Sequence, residues 1–234
     1  MPTVMITGAN RGLGLGLTRA YLEDGWKVIA VVRQRSADLA DLACASLVVR
    51  ECRLTDDREL GSLADGLAEP TIDVLINNAG KMAKPESVAG TDHAQGFGHF
   101  DRALWHEVFD INLFTPMKLA ELLVDRVARA DRGRIVTLSS MLGSMALNES
   151  GGLYAYRASK AGVNAIAKSM AIDLAGRGVI SIAMHPGWVR TDMGGSSAPL
   201  EIETSVRGMK SVIDGLQPED SGKFLSHDGS ELPW

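Results

Sequence analysis

Val4-Met-Ile-Thr7-Gly8-Ala9-Asn10-Arg11-Gly12-Leu13-Gly14 is the stretch on which the reading of this chain turns. A short apolar run, Val4–Thr7, passes directly into a glycine-rich turn, and helical spacing follows at Leu17, Ala20 and Tyr21. Glycine lets a backbone turn tightly and approach a ligand closely. A helix that starts there presents free N–H groups to an anion such as a pyrophosphate. A merely tight turn has the same composition, so the context decides: this turn opens the first strand–helix unit of an alternating chain.

Outward from that unit the alternation continues. Strand-like runs fall at Val28–Val32, Leu47–Arg50, Val74–Ile76, Ile135–Leu138 and Ile180–Ala183, with a weak one at Phe224–Leu225. Amphipathic stretches lie between them, such as Leu60, Leu63, Ala64 and Leu67, and two longer helices are predicted over roughly 102–130 and 154–176. Continuous apolar strands separated by helices imply a doubly wound α/β fold, with about seven mostly parallel strands covered on both faces. The 234 residues fit a single domain spanning 1–234, with no repeat or linker.

Composition narrows the function. Net charge is −5 with acids and bases interspersed, which argues against a partner that tracks a nucleic-acid backbone. No apolar run reaches the ~18 residues of a membrane span, and the start MPTVMITGANRG carries no signal pattern, so a cytoplasmic protein is expected. Cys44 and Cys52 are expected to be buried small hydrophobes rather than a disulfide framework. The five histidines show no ligand spacing with cysteines or carboxylates, so no metal is expected. Two segments resist the pattern: 81–101, with Pro85 and three glycines, and the Gly/Ser-rich 193–201. Both are candidates for a mobile rim around a site, the second continuing to about residue 210.

Chemistry-bearing residues gather at strand ends. The fifth strand ends in Ser139-Ser140-Met141-Leu142-Gly143, and a hydroxyl at the carboxyl end of such a strand can bond a substrate carbonyl. Tyr156 and Lys160 lie four apart on a predicted helix and so share a face. An unperturbed phenol is a poor base at neutral pH, and a nearby ammonium lowers its pKa toward the range useful for acid–base catalysis. Asn112 sits mid-helix, where its amide competes for backbone hydrogen bonds. The second strand ends in Arg33-Gln34-Arg35 with no carboxylate until Asp38. Guanidinium groups there and at Arg11 suit a 2′-phosphate, favouring NADP(H) over NAD(H).

Four motifs in order, TGANRGLG (7–14), Asn77-Asn-Ala-Gly80, Tyr156-Arg-Ala-Ser-Lys160 and Pro186-Gly-Trp-Val-Arg-Thr191, resemble the short-chain dehydrogenase/reductases over essentially the whole chain. Residues 152–164 and the ending Gly229–Trp234 resemble more narrowly the sniffer/C-factor carbonyl-reductase branch. The resemblance implies a catalytic set of Ser140, Tyr156, Lys160 and Asn112, with Ser140 selected over Ser139 because it lies three residues before a glycine. It implies cofactor contacts from Gly8, Asn10, Arg11, Gly12, Leu13 and Gly14, from Arg33 and Leu54, and from Asn78, Ala79 and Gly80. Tyr156, Lys160, Pro186, Gly187, Val189 and Thr191 complete that set. Arg11 is expected to face the adenosine ribose. Arg53 stands where relatives carry an Asp for the adenine amino group. The interval from Ser140 to Tyr156 is a few residues longer than in many relatives, which alters the pocket wall. Met141, Leu142, Tyr154, Trp188 and Met193 suggest an apolar pocket, hence a small apolar carbonyl or alcohol substrate. A homodimer or homotetramer follows by resemblance. The alternative is a nucleotide-binding signalling or regulatory protein with little turnover.

Overall fold

The computed structural model describes residues 1–82 and 96–234. Its strands are β1 Thr3–Thr7, β2 Lys27–Val32, β3 Leu47–Glu51, β4 Val74–Asn77, β5 Arg134–Leu138, β6 Ile180–His185 and β7 Phe224–Ser226. They form one sheet in the order β3-β2-β1-β4-β5-β6-β7, and every pairing is parallel. The helices are α1 Gly12–Glu23, α2 Ala37–Ala40, α3 Asp57–Asp65, α4 Arg102–Phe109, α5 Thr115–Val127, α6 Tyr154–Asp173 and α7 Ile202–Gly215.

Side chains alternate across each strand, so a strand apolar at every position must be covered twice. Val4, Ile6, Val28 and Ala30 pack with Leu17 and Tyr21 of α1 and with Val206, Met209 and Ile213 of α7. Met5, Ile29, Val31 and Leu75 face the other way, onto Leu60 and Leu63 of α3 and Leu119 and Leu123 of α5. Between β3 and β4 the chain crosses back to the far side of β1. Adjacent connections therefore leave β1 and β4 in opposite directions and open a crevice at the strands' carboxyl ends.

The long helix expected over 102–130 is interrupted. Asp110–Phe114 forms a single π turn between α4 and α5, closed by the Thr115 amide donating to the Asp110 carbonyl five residues back. Pro116 has no N–H for the Asn112 carbonyl four residues behind it, so the α-helical ladder must break there. Two further expectations are corrected. Cys44 is exposed, and only Cys52 is buried. Residues 202–210 are no part of a rim, because they belong to α7 and put Val206 and Met209 into the core. Residues 83–95 of the other loose segment lie outside the described residues.

Candidate active site

Thr7 ends β1 and ties it to the end of β4. Its hydroxyl accepts from the Asn78 and Ala79 amides, both at 3.0 Å, while the Asn78 amide group donates to the Thr7 and Gly8 carbonyls at 2.7 and 3.2 Å. The glycine loop hangs from this lacing. Gly8 and Gly12 have φ of +68° and +54°, and a Cβ on Gly14 would lie 2.2 Å from the Gly8 carbonyl oxygen. Helices α2, α3 and α4 are capped by the side chains of Ser36, Asp56 and Asp101, whereas α1 starts with no side-chain cap. The open N–H groups and positive dipole end of α1 face the crevice. Leu13 is partly buried and packs on the core, so only its backbone can serve a ligand.

Two of the expected cofactor residues are otherwise engaged. The Asn10 amide donates to the Gln34 carbonyl and accepts from the Ser36 amide at 3.0 Å, clipping the end of β2 to the glycine loop. The Arg11 guanidinium pairs with Asp192, both side chains being exposed. Arg33 is exposed at the end of β2 and, with Gln34, Glu51, Cys52, Arg53 and Glu59, surrounds a cavity of about 540 Å³. Arg53 pairs with Glu59 at 3.4 Å, and Glu51 accepts from the Arg35 amide, so this cleft mixes both signs of charge. Leu54 is buried beside it, its carbonyl accepting from Thr115 Oγ1 at 2.6 Å.

At the end of β5, Ser140 accepts a hydrogen bond from the Leu142 amide at 3.2 Å, and its hydroxyl is hydrogen-bonded with that of Tyr156. Ser139 faces away, donating to Asn164 Oδ1 at 2.6 Å, while Asn164 Nδ2 reaches the Gly143 carbonyl at 3.3 Å. The glycine three residues after Ser140 has a steric reason. A Cβ on Gly143 would meet the Lys160 carbonyl carbon at 2.8 Å, so the turn Met141–Gly143 lies directly on α6.

Tyr156 and Lys160 are both buried, with Lys160 Nζ 5.7 Å from the centre of the Tyr156 ring. Burial dominates their protonation. It pushes the phenol up to about 12 against the opposing pull of Ser140, and holds the ammonium down to about 8. The expected net lowering of Tyr156 is therefore not what this arrangement gives, because burial outweighs it; the Lys160 ammonium donates to the Leu138 carbonyl at 2.6 Å. Asn112 is also buried. It accepts from the Lys81 amide at 2.7 Å and donates to the Lys81 carbonyl at 2.8 Å and to Ser159 Oγ at 3.0 Å. Gly80 completes the floor: a Cβ there would stand 3.3 Å from Asn112 Oδ1 and 3.7 Å from Lys160 Nζ.

The segment after β6 is not loose. Gly187 turns with φ +86°, Val189 is buried and bridges Leu200, and Thr191 Oγ1 accepts from the Gly194 amide at 3.1 Å. Ser205 donates to the Pro186 carbonyl, Trp188 Nε1 to the Gly194 carbonyl at 2.8 Å, and Arg190 Nε to the Ala198 carbonyl at 2.8 Å. Thr191 reaches the glycine loop, its methyl lying 3.5 Å from where a Gly12 Cβ would sit. His185, expected to pack ahead of this turn, is half-buried, and that burial pushes its imidazole down to about 4. The longer wall segment, 141–153, links the end of β5 to α6. It ends in three successive residues of positive φ, Gly151, Gly152 and Leu153, and at Leu153 this costs about 1–2 kcal/mol.

Ser140, Tyr156, Lys160 and Asn112 thus converge beside the glycine loop and the Pro186–Thr191 turn. Thr7, Ser159 and Asn164 brace them and were not singled out in the sequence. Asn164 had a legible signal, since it falls four residues after Lys160 on the same helical face.

An all-parallel sheet with a glycine loop after β1 and a serine–tyrosine–lysine cluster at β5 and α6 defines a dinucleotide-fold oxidoreductase class. The chain belongs to the short-chain dehydrogenase family, whose model matches residues 2–201. The C-signal protein of Myxococcus xanthus is 41% identical over 173 residues, covering 74% of this chain and 99% of that protein. Two solved structures resemble the whole fold. The carbonyl reductase Sniffer of D. melanogaster has a TM-score of 0.90 at 32% identity, with 100% of both chains covered. The NADPH-bound carbonyl reductase from chicken fatty liver has 0.89 at 28%, covering 100% of this chain and 99% of that one. Among the described residues, no helix is long and apolar enough to cross a membrane.

Proposed function

We propose that this chain transfers a hydride between NADP(H) and a small apolar carbonyl or alcohol, with Tyr156 as proton donor and acceptor. The observation that carries this reading is the buried Ser140–Tyr156 hydrogen bond at the carboxyl end of β5, with Lys160 and Asn112 beneath it. Bound NADP(H) supplies the hydride. The residues present suit such a cofactor. Gly8 and Gly12 take the left-handed turn, Gly14 lets α1 start tightly against the Gly8 carbonyl, α1 starts uncapped, and the absent side chain of Gly80 leaves Asn112 and Lys160 uncovered by a Cβ. Arg33 stands at the cleft where a 2′-phosphate is expected, and the NADPH-bound relative supports the same cofactor.

The chain's own groups then divide the work. Ser140 and Tyr156 present hydroxyls to the substrate oxygen. The Tyr156 phenol is protonated at neutral pH, as a proton donor to an oxygen becoming an alkoxide must be in the reductive direction. Lys160 supplies charge beside the relay, and Asn112 fixes the floor through Lys81 and Ser159. Met141, Tyr154, Trp188 and Met193, close in sequence to the site residues, leave apolar side chains exposed, which favours apolar substrates.

Tyr156→Phe is the test. Turnover of a panel of aldehydes and ketones with NADPH should fall by more than tenfold, while NADPH binding stays within about twofold. Turnover within tenfold of wild type overturns the role of Tyr156. The C-signal relative favours a second reading, a nucleotide-binding signalling protein with little turnover. It gains if the wild-type chain binds NADPH and reduces nothing in the panel.

A further inference from the structure

The segment between Ser140 and Tyr156, expected as a wall of the pocket, is held by one side chain that the catalytic scheme does not use. Arg157 follows Tyr156 directly. Its Nε donates to the Gly151 and Gly152 carbonyls at 3.2 and 3.1 Å, Nη1 to the Leu142 carbonyl at 3.4 Å, and Nη2 to Ser150 Oγ at 2.8 Å. One planar fork therefore joins both ends of the wall, the turn after Ser140 and the left-handed turn before α6, to the helix carrying Tyr156. The carbonyls of 151 and 152 converge on it because 151–153 all have positive φ, and Leu153 is the one non-glycine residue with positive φ among the described residues. Such strain persists only where surrounding contacts over-determine it. The middle of the wall is anchored separately, Ser144 Oγ and the Ala146 amide both donating to the Trp234 carbonyl at 3.2 and 3.0 Å. Between the anchors, Met145 and Leu147 are exposed.

We propose that Arg157 is a positioning residue that sets the substrate range of this site by fixing the 141–153 wall between Ser140 and Tyr156. The proposal rests on the carbonyl-reductase reading, because it concerns which carbonyl compounds reach Tyr156. It touches neither the glycine loop nor the Pro186–Thr191 turn, so it separates substrate selection from nucleotide binding.

The experiment compares wild type, Arg157→Ala, Arg157→Lys and Arg157→Ala combined with Leu153→Gly. For each, kcat and KM are measured on a graded series from acetaldehyde to aryl ketones, together with NADPH affinity and hydrogen exchange by mass spectrometry. Arg157→Ala should raise KM for the larger ketones at least fivefold. For acetaldehyde, kcat should stay within threefold, and NADPH affinity within twofold. Exchange should quicken in 142–153 and not in the sheet. Lysine should fail to restore KM, since a single ammonium cannot bridge carbonyls on both turns. Leu153→Gly, which relieves the strain the fork holds, should recover at least half of the KM loss. Equal KM changes across the series, or a lowered Tm with KM unchanged, overturn the proposal by reducing Arg157 to a structural tie. A wild-type chain that turns over nothing in the series removes the carbonyl-reductase reading instead. In that case unchanged exchange in 142–153 independently overturns the holding role of Arg157.

Discussion

Burial moves Tyr156 and Lys160 in opposite directions, and the lysine's shift gives a measurable sign. Its ammonium titrates near 8 in the fold and near its ordinary 10.5 when unfolded. Between those values the unfolded chain binds more protons, so this group makes stability rise with pH, by about 3 kcal/mol at most. Lys160→Met should therefore raise Tm, relative to wild type, more at pH 7 than at pH 10. Turnover should be lost at both. In wild type, reduction should decline as pH rises through about 8 and the charge is lost. A variant-to-wild-type Tm difference that does not change with pH removes the assignment of a strained buried ammonium. Arg33 carries a second prediction at this scale. A charge-assisted bond to a 2′-phosphate is worth about 1.5–3 kcal/mol, and every 1.4 kcal/mol is about tenfold. NADPH should be favoured over NADH by tenfold or more, and Arg33→Asp should weaken NADPH strongly while sparing NADH. A cofactor ratio unmoved by the change makes Arg33 a surface charge. Arg11 shows where legibility ends: its position in the glycine loop was plain in the sequence. Its partner Asp192, 181 residues away, is set only by the folded loop.

Most elements were legible because strand and helix periods differ and the strand runs were continuous. All seven strands fall where the apolar runs predict, several extended by a residue or two. The π turn was not. An inserted helical residue barely disturbs a spacing of three to four, although Pro116, four residues after Asn112, marks where the ladder must break. The 193–201 segment, expected as part of a mobile rim, takes bonds that its composition does not announce. Glycine and serine composition reports freedom in the unfolded chain, whereas Trp188, Arg190 and Thr191 supply bonds that pin the loop. Gly143 tests how tightly the site's elements are fitted. In Gly143→Ala the new methyl meets the Lys160 backbone carbon and Cβ at 2.8 and 2.9 Å, neither of which can swing aside. Overpacking of this kind costs about 1–3 kcal/mol. Urea unfolding should show that loss, and turnover should fall at least tenfold as Ser140 shifts. Full activity with unchanged stability would show that the turn can move freely.

Across the whole molecule the nucleotide cleft joins elements that meet only in the folded sheet: the ends of β1, β2, β4 and β6. A ligand seated there stabilises the fold by mass action. At a hundred times its Kd the gain is about 2.7 kcal/mol, and for a chain of this size each kcal/mol raises Tm by roughly 2–4 °C. NADPH at that excess should raise Tm by about 5–10 °C, and NADH at the same concentration by clearly less. No shift with either nucleotide would count against the cofactor reading.

The place of β1 in the sheet also has a consequence for synthesis. It precedes the other six strands of the sheet in the chain and is paired on both sides. Its partner on one side, β2, follows within about thirty residues, but the other, β4, pairs Val4 with Val74. At a translation rate of about 5–20 residues per second, that second edge stays open for roughly 4–14 s after β1 is made. During that interval a row of backbone donors and acceptors and the side chains of Met5 and Ile6 have no cover. For the nascent chain, an interior strand of the sheet is for several seconds an edge strand, and guarding it falls to whatever waits at the ribosome exit.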